Sequence, residues 1–313
     1  PLYQLRLAEG VVPDRSPEWL RYRLLALGHR PINTVVDITN YVMLETGQPL
    51  HAFDLDLMRG DRVEVARAGD RQEFTTLDGS NLSLESRDLL IRDAERPVAL
   101  AGIMGGQNTE VGSGTRRLLL ECAVFDPTTI RRTARRLALS SESSYRFERG
   151  VDQPGSRMAL DRAAGLIQDL TGGRVLRGAS YSEPRPWHPV RISFRPERAR
   201  SLLAMQADDE FCNETLRSLG CSISRGDDSL EVTPPSHRQD LTREVDLIEE
   251  VARFYGFENT PRELPRVAKP LSDDESTADS ADHAFQATMR HWAKGLGLQE
   301  VVNYSFVSSA DLD

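Results

Sequence analysis

With 313 residues and a net charge of −9, the chain is long enough for two or more domains and too acidic to bind nucleic acid through a broad basic surface. No apolar run approaches the ~20 residues of a membrane span, which leaves no membrane partner to expect. Cys122, Cys212 and Cys221 are too few and too scattered for a disulfide framework or a zinc site, so a reducing, cytoplasmic setting is expected. The chain opens at Pro1 without an initiator Met and stops at "SSADLD", which reads as an internal piece of something longer.

In "SPEWLRYRLLALG", Ser16 as N-cap, Pro17 at the first helical position and Gly28 as the stop predict a helix. "RPINTVVDITNYVMLETG" is ambiguous, because its β-branched residues suit a strand while Ile32, Val35, Val36, Val42 and Met43 also fit helical spacing. From about Arg62 to Phe125 short apolar runs predict a sheet, with Asp78-Gly79 as a hairpin signal. Asp126 caps a helix that starts at Pro127, and "SRMALDRAAGLIQDLTGG" predicts a second one ending at Gly172 and Gly173. The Pro-rich "SEPRPWHPV" at 182–190 marks a domain boundary. Beyond it the pattern runs strand "RISF", helix "PERARSLL", helix "DDEFCNETLRSLG", strands "SISR" and "LEVTPP", then an acidic helix. "RELPRVAKPLSDDESTADS" reads as a linker before a third unit with a helix and a strand, "EVVNYSF".

Chemistry concentrates at a few places. His51 follows Pro49, and Gly102, Gly105 and Gly106 cluster after an apolar strand, either as a tight turn or to let a ligand approach the backbone. Glu121 interrupts the apolar "LLLECAVF", where a carboxylate must be paired, exposed on one face or turned into a pocket. "RRTARR" places Arg131, Arg132, Arg135 and Arg136 on one helical face, open to phosphates or merely to solvent. In "HRQDLTREVDLIEEVARFYG", Leu241, Val245, Ile248, Ala252 and Tyr255 form an expected buried stripe. Asp246, Glu249 and Glu250 then share an adjoining face, with Asp240 just before the helix. That crowding is either a solvated acidic face or a hard-cation site. No phosphate loop, dinucleotide fingerprint or nucleophile elbow is present, and a metal-dependent hydrolase centred on the acidic helix lacks nearby His ligands.

Taken together, "RPINTVVDITNYVMLETGQPLHAFD", "AGIMGG", "SSYRFERGVD" and "HRQDLTREVDLIEEVARFYGF" resemble the beta subunit of bacterial phenylalanyl-tRNA synthetase. The resemblance implies an α+β fold class. A mixed-sheet editing domain over residues 1–187 precedes a small winged-helix-like α+β domain over 188–264, and 265–313 hold a linker and the start of a non-catalytic synthetase-like domain. It implies hydrolysis of mischarged tyrosyl-tRNA on this chain, within an α2β2 assembly that joins phenylalanine to its tRNA using ATP. The partners implied are the alpha subunit and tRNA. The editing site carries over as Arg30, Thr39, Asn40, His51, Gly102, Gly105, Glu121, Ser141 and Ser143. Ser141 stands where Thr is familiar and Ser143 where Ala is familiar, so both positions keep a small side chain. Asp240, Asp246, Glu249 and Glu250 match magnesium ligands at a site shared with the alpha subunit, while Glu244 is left as an ordinary helix carboxylate. A rival reading makes the chain a non-catalytic scaffold for the alpha subunit and tRNA.

Overall fold

The chain enters on β1 (Leu2–Glu9), whose alternation sends Leu2 and Ala8 to one face and Tyr3, Leu5 and Leu7 to the other. This computed structural model describes residues 1–226, 229–260 and 273–309. Helix α1 (Glu18–Ala26) begins one residue later than the sequence suggests. Ser16 does not cap it, because its hydroxyl donates to the buried Asp37 carboxylate at 2.6 Å and Pro17 takes the cap position. The ambiguous segment is helix α2 (Thr34–Thr46). Its ends decide the matter: the Asn33 side chain accepts from Val36 N at 3.0 Å, and Gly47 closes the helix at φ 76°.

After β2 (Leu50–Asp54) come β3 (Glu64–Arg67), β4 (Gln72–Thr75), β5 (Asn81–Leu84), β6 (Leu89–Arg92), β7 (Pro97–Leu100) and the short β8 (Met104–Gly105). The Asp78-Gly79 turn joins β4 to β5 as expected, with Gly79 at φ 82°. The apolar β9 (Arg117–Val124) then crosses the molecule, followed by α3 (Pro127–Arg136), α4 (Glu142–Phe147), α5 (Ser156–Thr171), β10 (Arg174–Val175) and β11 (Ser180–Ser182). Strand β9 lies between β1 and β2, and β10 and β11 pair with β1. Every pairing among the described residues is antiparallel, so the α+β class holds with antiparallel sheets in place of a mixed one. One core packs Leu118, Leu120 and Cys122 of β9 against α2 and α5, while the other sets Leu119 and Ala123 against Phe53, β6, β7 and α3.

A third core joins β12 (Ile192–Phe194), α6 (Pro196–Leu203), α7 (Asp209–Ser218), β13 (Ser222–Arg225), β14 (Leu230–Thr233) and α8 (Glu244–Tyr255). The buried stripe of α8 is Leu247, Ile248, Val251 and Ala252, which keeps Ile248 and Ala252 of the expected stripe and adds Leu247 and Val251, while Tyr255 packs against the core half-buried. Val245 is 39% exposed, and Leu241 is buried ahead of the helix. Glu244 is no ordinary helix carboxylate. It accepts from Arg195 N at 3.0 Å, Arg195 Nε at 2.9 Å, Arg195 Nη2 at 2.7 Å and Arg198 Nη1 at 2.6 Å, pinning the start of α8 to the start of α6.

Residues 261–313 make a separate unit containing α9 (Asp273–Gly295), which starts inside the expected linker; residues 261–272 lie outside those described. "EVVNYSF" forms no strand, since no neighbouring strand pairs with it among the described residues.

The four-donor contact at Glu244 sets an expectation for stability. Glu244→Ala lowers the unfolding free energy by about 1–2 kcal/mol in urea titrations, because a charged acceptor is removed from donors it shields. Glu249→Ala, on an exposed side chain, stays within about 0.5 kcal/mol of the parent. Equal losses in the two variants contradict the assigned role of Glu244.

Candidate functional site

Because side chains alternate along β9, Glu121 shares the face of Leu119 and Ala123. The register sets Leu5 of β1 on one side of it and His51 of β2 on the other. Direct cross-strand partners hold their Cβ atoms about 4.5–5.5 Å apart, so two predicted site residues 70 positions apart become neighbours. Glu121 is 5% exposed, and burial pushes its carboxyl up from 4.5 to about 8, with the Tyr3 hydroxyl as a smaller opposing influence. Burial likewise drives His51 down from 6.5 to about 4. Near neutral pH both groups are therefore uncharged: a protonated carboxyl beside a neutral imidazole.

The imidazole is positioned by packing. It meets Phe53 edge-on at 4.6 Å between centroids, and its other side lies against Gly105. A Cβ at Gly105 would stand 2.7 Å from His51 Cε1 and 2.9 Å from Leu77 Cδ1, so glycine is required for the ring to sit there. Gly102 has a different reason. At φ +68° it turns the chain tightly, and a Cβ would press on Phe125, Phe147 and Ile130. Ser141 connects to this turn, donating from Oγ to Ile103 O at 2.7 Å while accepting from Ser144 N at 3.0 Å to cap α4.

The remaining expected residues are spread more widely. Thr39 is buried on α2 with its hydroxyl spent on Val36 O at 2.8 Å; Asn40 and Ser143 are half-buried, and Arg30 is exposed between α1 and α2. No hydrogen bond among the described residues ties any of them to His51 or Glu121. A cavity of about 480 Å³ lined by Glu73, Phe74, Thr75, Arg96, Pro97, Gln107 and Asn108 contains none of the expected site residues.

The acidic segment is tied to arginines. Arg238 donates from Nη2 to Asp240 at 2.6 Å and to Glu250 at 2.8 Å, and Arg253 donates to Glu250 at 2.5 Å. Asp246 accepts from Thr242 N at 3.0 Å and Arg243 N at 2.8 Å, and the Arg243 guanidinium, with these amides, holds its carboxyl down at about 2. Of the four expected ligands, Glu249 is the one without an arginine partner among the described residues, and it is exposed. Carboxylates suit Mg2+ chemically, but as arranged they do not form a cradle: no group of three or more His, Cys, Asp or Glu converges as a metal site among the described residues. The basic face also differs from the sequence reading. Arg131, Arg132 and Arg135 are exposed, but Arg136 turns inward to pair with the buried Asp88 and with Glu85.

A family model for the B3/4 domain matches residues 1–172, and one for the tRNA synthetase B5 domain matches residues 192–257. The phenylalanine–tRNA ligase beta subunit of Oleidesulfovibrio alaskensis is 56% identical over 315 residues, covering 100% of this chain and 39% of that protein. The subunit of the same name from Nitratidesulfovibrio vulgaris is 51% identical over 314 residues, with the same coverage. The chain belongs to the phenylalanine–tRNA ligase beta subunit family. It spans about two fifths of the length of these relatives. A solved N-terminal fragment of the phenylalanyl-tRNA synthetase beta subunit from Pyrococcus horikoshii aligns over 80% of this chain and 69% of its own at 13% identity; its TM-score of 0.36 is too low to bear on the fold.

In this family member the two shifted groups leave opposite marks on stability. Between pH 4 and 6.5 an unfolded His51 takes up a proton that the folded one refuses, so stability rises with pH. Between 4.5 and about 8 the folded Glu121 keeps a proton that the unfolded chain has lost, so stability falls with pH. The His51 contribution fades as pH rises past 6.5, whereas that of Glu121 persists to about 8, so the two separate toward the alkaline end. Glu121→Gln should therefore remove a decline of up to about 1.4 kcal/mol per pH unit between pH 6.5 and 8, measured by denaturant titration. Parallel pH profiles for parent and variant contradict the buried, neutral carboxyl.

Proposed function

We propose that the His51–Glu121 site hydrolyses the ester of tyrosine wrongly attached to the phenylalanine tRNA, within an α2β2 ligase that charges that tRNA using ATP. The observation that carries this reading is the buried Glu121 carboxyl held beside a neutral imidazole on adjacent strands. An aminoacyl ester is activated, so a positioned water and one proton acceptor suffice, and neutral His51 supplies the acceptor. A protonated carboxyl both donates to and accepts from a phenolic hydroxyl. Phenylalanine offers no such partner and leaves the buried group unpaired, which disfavours its entry and spares the correct product. Asp240, Asp246, Glu249 and Glu250 would hold magnesium only in the assembly with the alpha subunit and only if the arginines that pair with three of the four carboxylates turn away. A cytoplasmic enzyme with tRNA and the alpha subunit as its partners completes the reading.

The substrate must also be held by its RNA. Helix α3 packs Ile130 and Ala134 inward next to the Gly102 turn, while its exposed Arg131, Arg132 and Arg135 have no carboxylate in salt-bridge reach among the described residues. One helical turn, about 5–6 Å, separates Arg131 from Arg135, a spacing suited to successive phosphates of one strand.

The pocket and the basic face are tested separately. In deacylation assays with tyrosyl-tRNA, Glu121→Ala and Gly105→Ala each slow hydrolysis by about 10-fold or more, the first by removing the hydroxyl's partner and the second by displacing His51. Rates equal to the parent's reject the site. Replacing Arg131, Arg132 and Arg135 by Gln weakens tRNA binding and reduces the slope of log affinity against log salt by about 2–3. An unchanged slope returns these arginines to a solvated face.

A further inference from the structure

Glu121 has a second neighbour that the sequence pattern did not mark. Tyr3 faces Ala123 across the β1–β9 ladder, two positions from Glu121 and on the same face of the sheet. Diagonal neighbours at that offset lie within reach of an aromatic side chain on one strand and a long one on the other. Both ends of this pair are buried polar atoms left over: the Tyr3 hydroxyl and Glu121 Oε2 are shut off from solvent, and neither makes a hydrogen bond of good geometry. A buried polar group left unpaired is costly, whereas a hydroxyl donor and a carboxyl acceptor on one face satisfy each other with a small side-chain rotation. Of the two residues paired directly with Glu121 across the strands, Leu5 is apolar and His51 stands on the side away from Tyr3.

We propose that Tyr3 is a positioning residue of the site, its hydroxyl holding the Glu121 carboxyl in the orientation that recognises a second, incoming phenol. The enzyme's own tyrosine then occupies one oxygen of Glu121, and the substrate's tyrosine takes the other. The mutual influence of the two groups agrees with this placement: burial and then the neighbouring carboxyl push the Tyr3 phenol well above its usual range, and the phenol draws Glu121 down against the larger effect of burial. The selectivity consequence rests on the editing function proposed above; the pairing of the two side chains does not.

Tyr3→Phe tests both parts, because it removes one oxygen and keeps the ring that packs in the core. In the parent and the variant, the Glu121 carboxyl is titrated by carbon NMR, and hydrolysis of tyrosyl-tRNA is compared with hydrolysis of phenylalanyl-tRNA. The expected result is an upward move of the Glu121 titration and a fall of about 2- to 10-fold in the preference for tyrosine, with the fold retained. Tyr3→Ala, which also empties the ring's place, separates packing from positioning. If Tyr3→Phe leaves titration and preference unchanged while Tyr3→Ala loses stability, Tyr3 is only a core residue and the proposal is overturned. If the titration moves but the parent shows no hydrolysis of tyrosyl-tRNA, the pairing stands and the editing function fails.

Discussion

Strand β9 is bonded on both edges and carries a hydrophobic core on each face, and that double confinement is the constraint on which the site depends. A strand free on one edge can slip by a residue; here a slip of one would turn Glu121 into the core formed with α2 and α5 and expel Leu120 and Cys122 from it. Eight consecutive pairs with β1 and five with β2 hold the register. The same pairing that stabilises the fold therefore fixes which strand neighbours a buried carboxyl receives, and the site needs no separate scaffold.

The consequences of that placement are mostly electrostatic. An ionised carboxylate surrounded by apolar side chains is expensive, so the proton stays on, and an imidazole in similar surroundings stays neutral. A charged pair in this position would attract water and oppose any apolar ligand. A neutral pair carries no such charge penalty and keeps one carboxyl group available to a hydroxyl, as the proposed recognition of tyrosine requires. Gly105 matters for the same reason as the register, because it leaves room for the imidazole to lie against the backbone.

Much of the local architecture was legible in the sequence. Asp126 and Pro127 start α3, Asp78-Gly79 turns a hairpin and Gly172 ends α5, since each of these signals acts within a few residues. The importance of Glu121 was also visible, because a carboxylate inside an apolar run needs a reason. Its neighbours were not: no local rule pairs position 121 with positions 5 and 51, and the diagonal contact with Tyr3 depends on the register as well. The acidic helix was anticipated, but the role of Glu244 at its start was hidden for a similar reason. Arg195 and Arg198 lie 49 and 46 residues from Glu244, so spacing along the helix gave no hint that this carboxylate clamps two helices. Local charge spacing likewise hid the inward turn of Arg136, whose buried partner Asp88 lies 48 residues away.

Whether Glu121 and His51 together receive a tyrosyl ester is tested most directly by a crystal structure of the chain bound to a non-hydrolysable 3′-tyrosylamido adenosine. The phenol is expected within hydrogen-bonding distance of Glu121 and the amide carbonyl beside His51, with Gly105 against the ring of His51 as in the free chain. Binding of the analogue in the cavity lined by Glu73, Arg96 and Asn108, with the His51–Glu121 site left empty, would contradict that role.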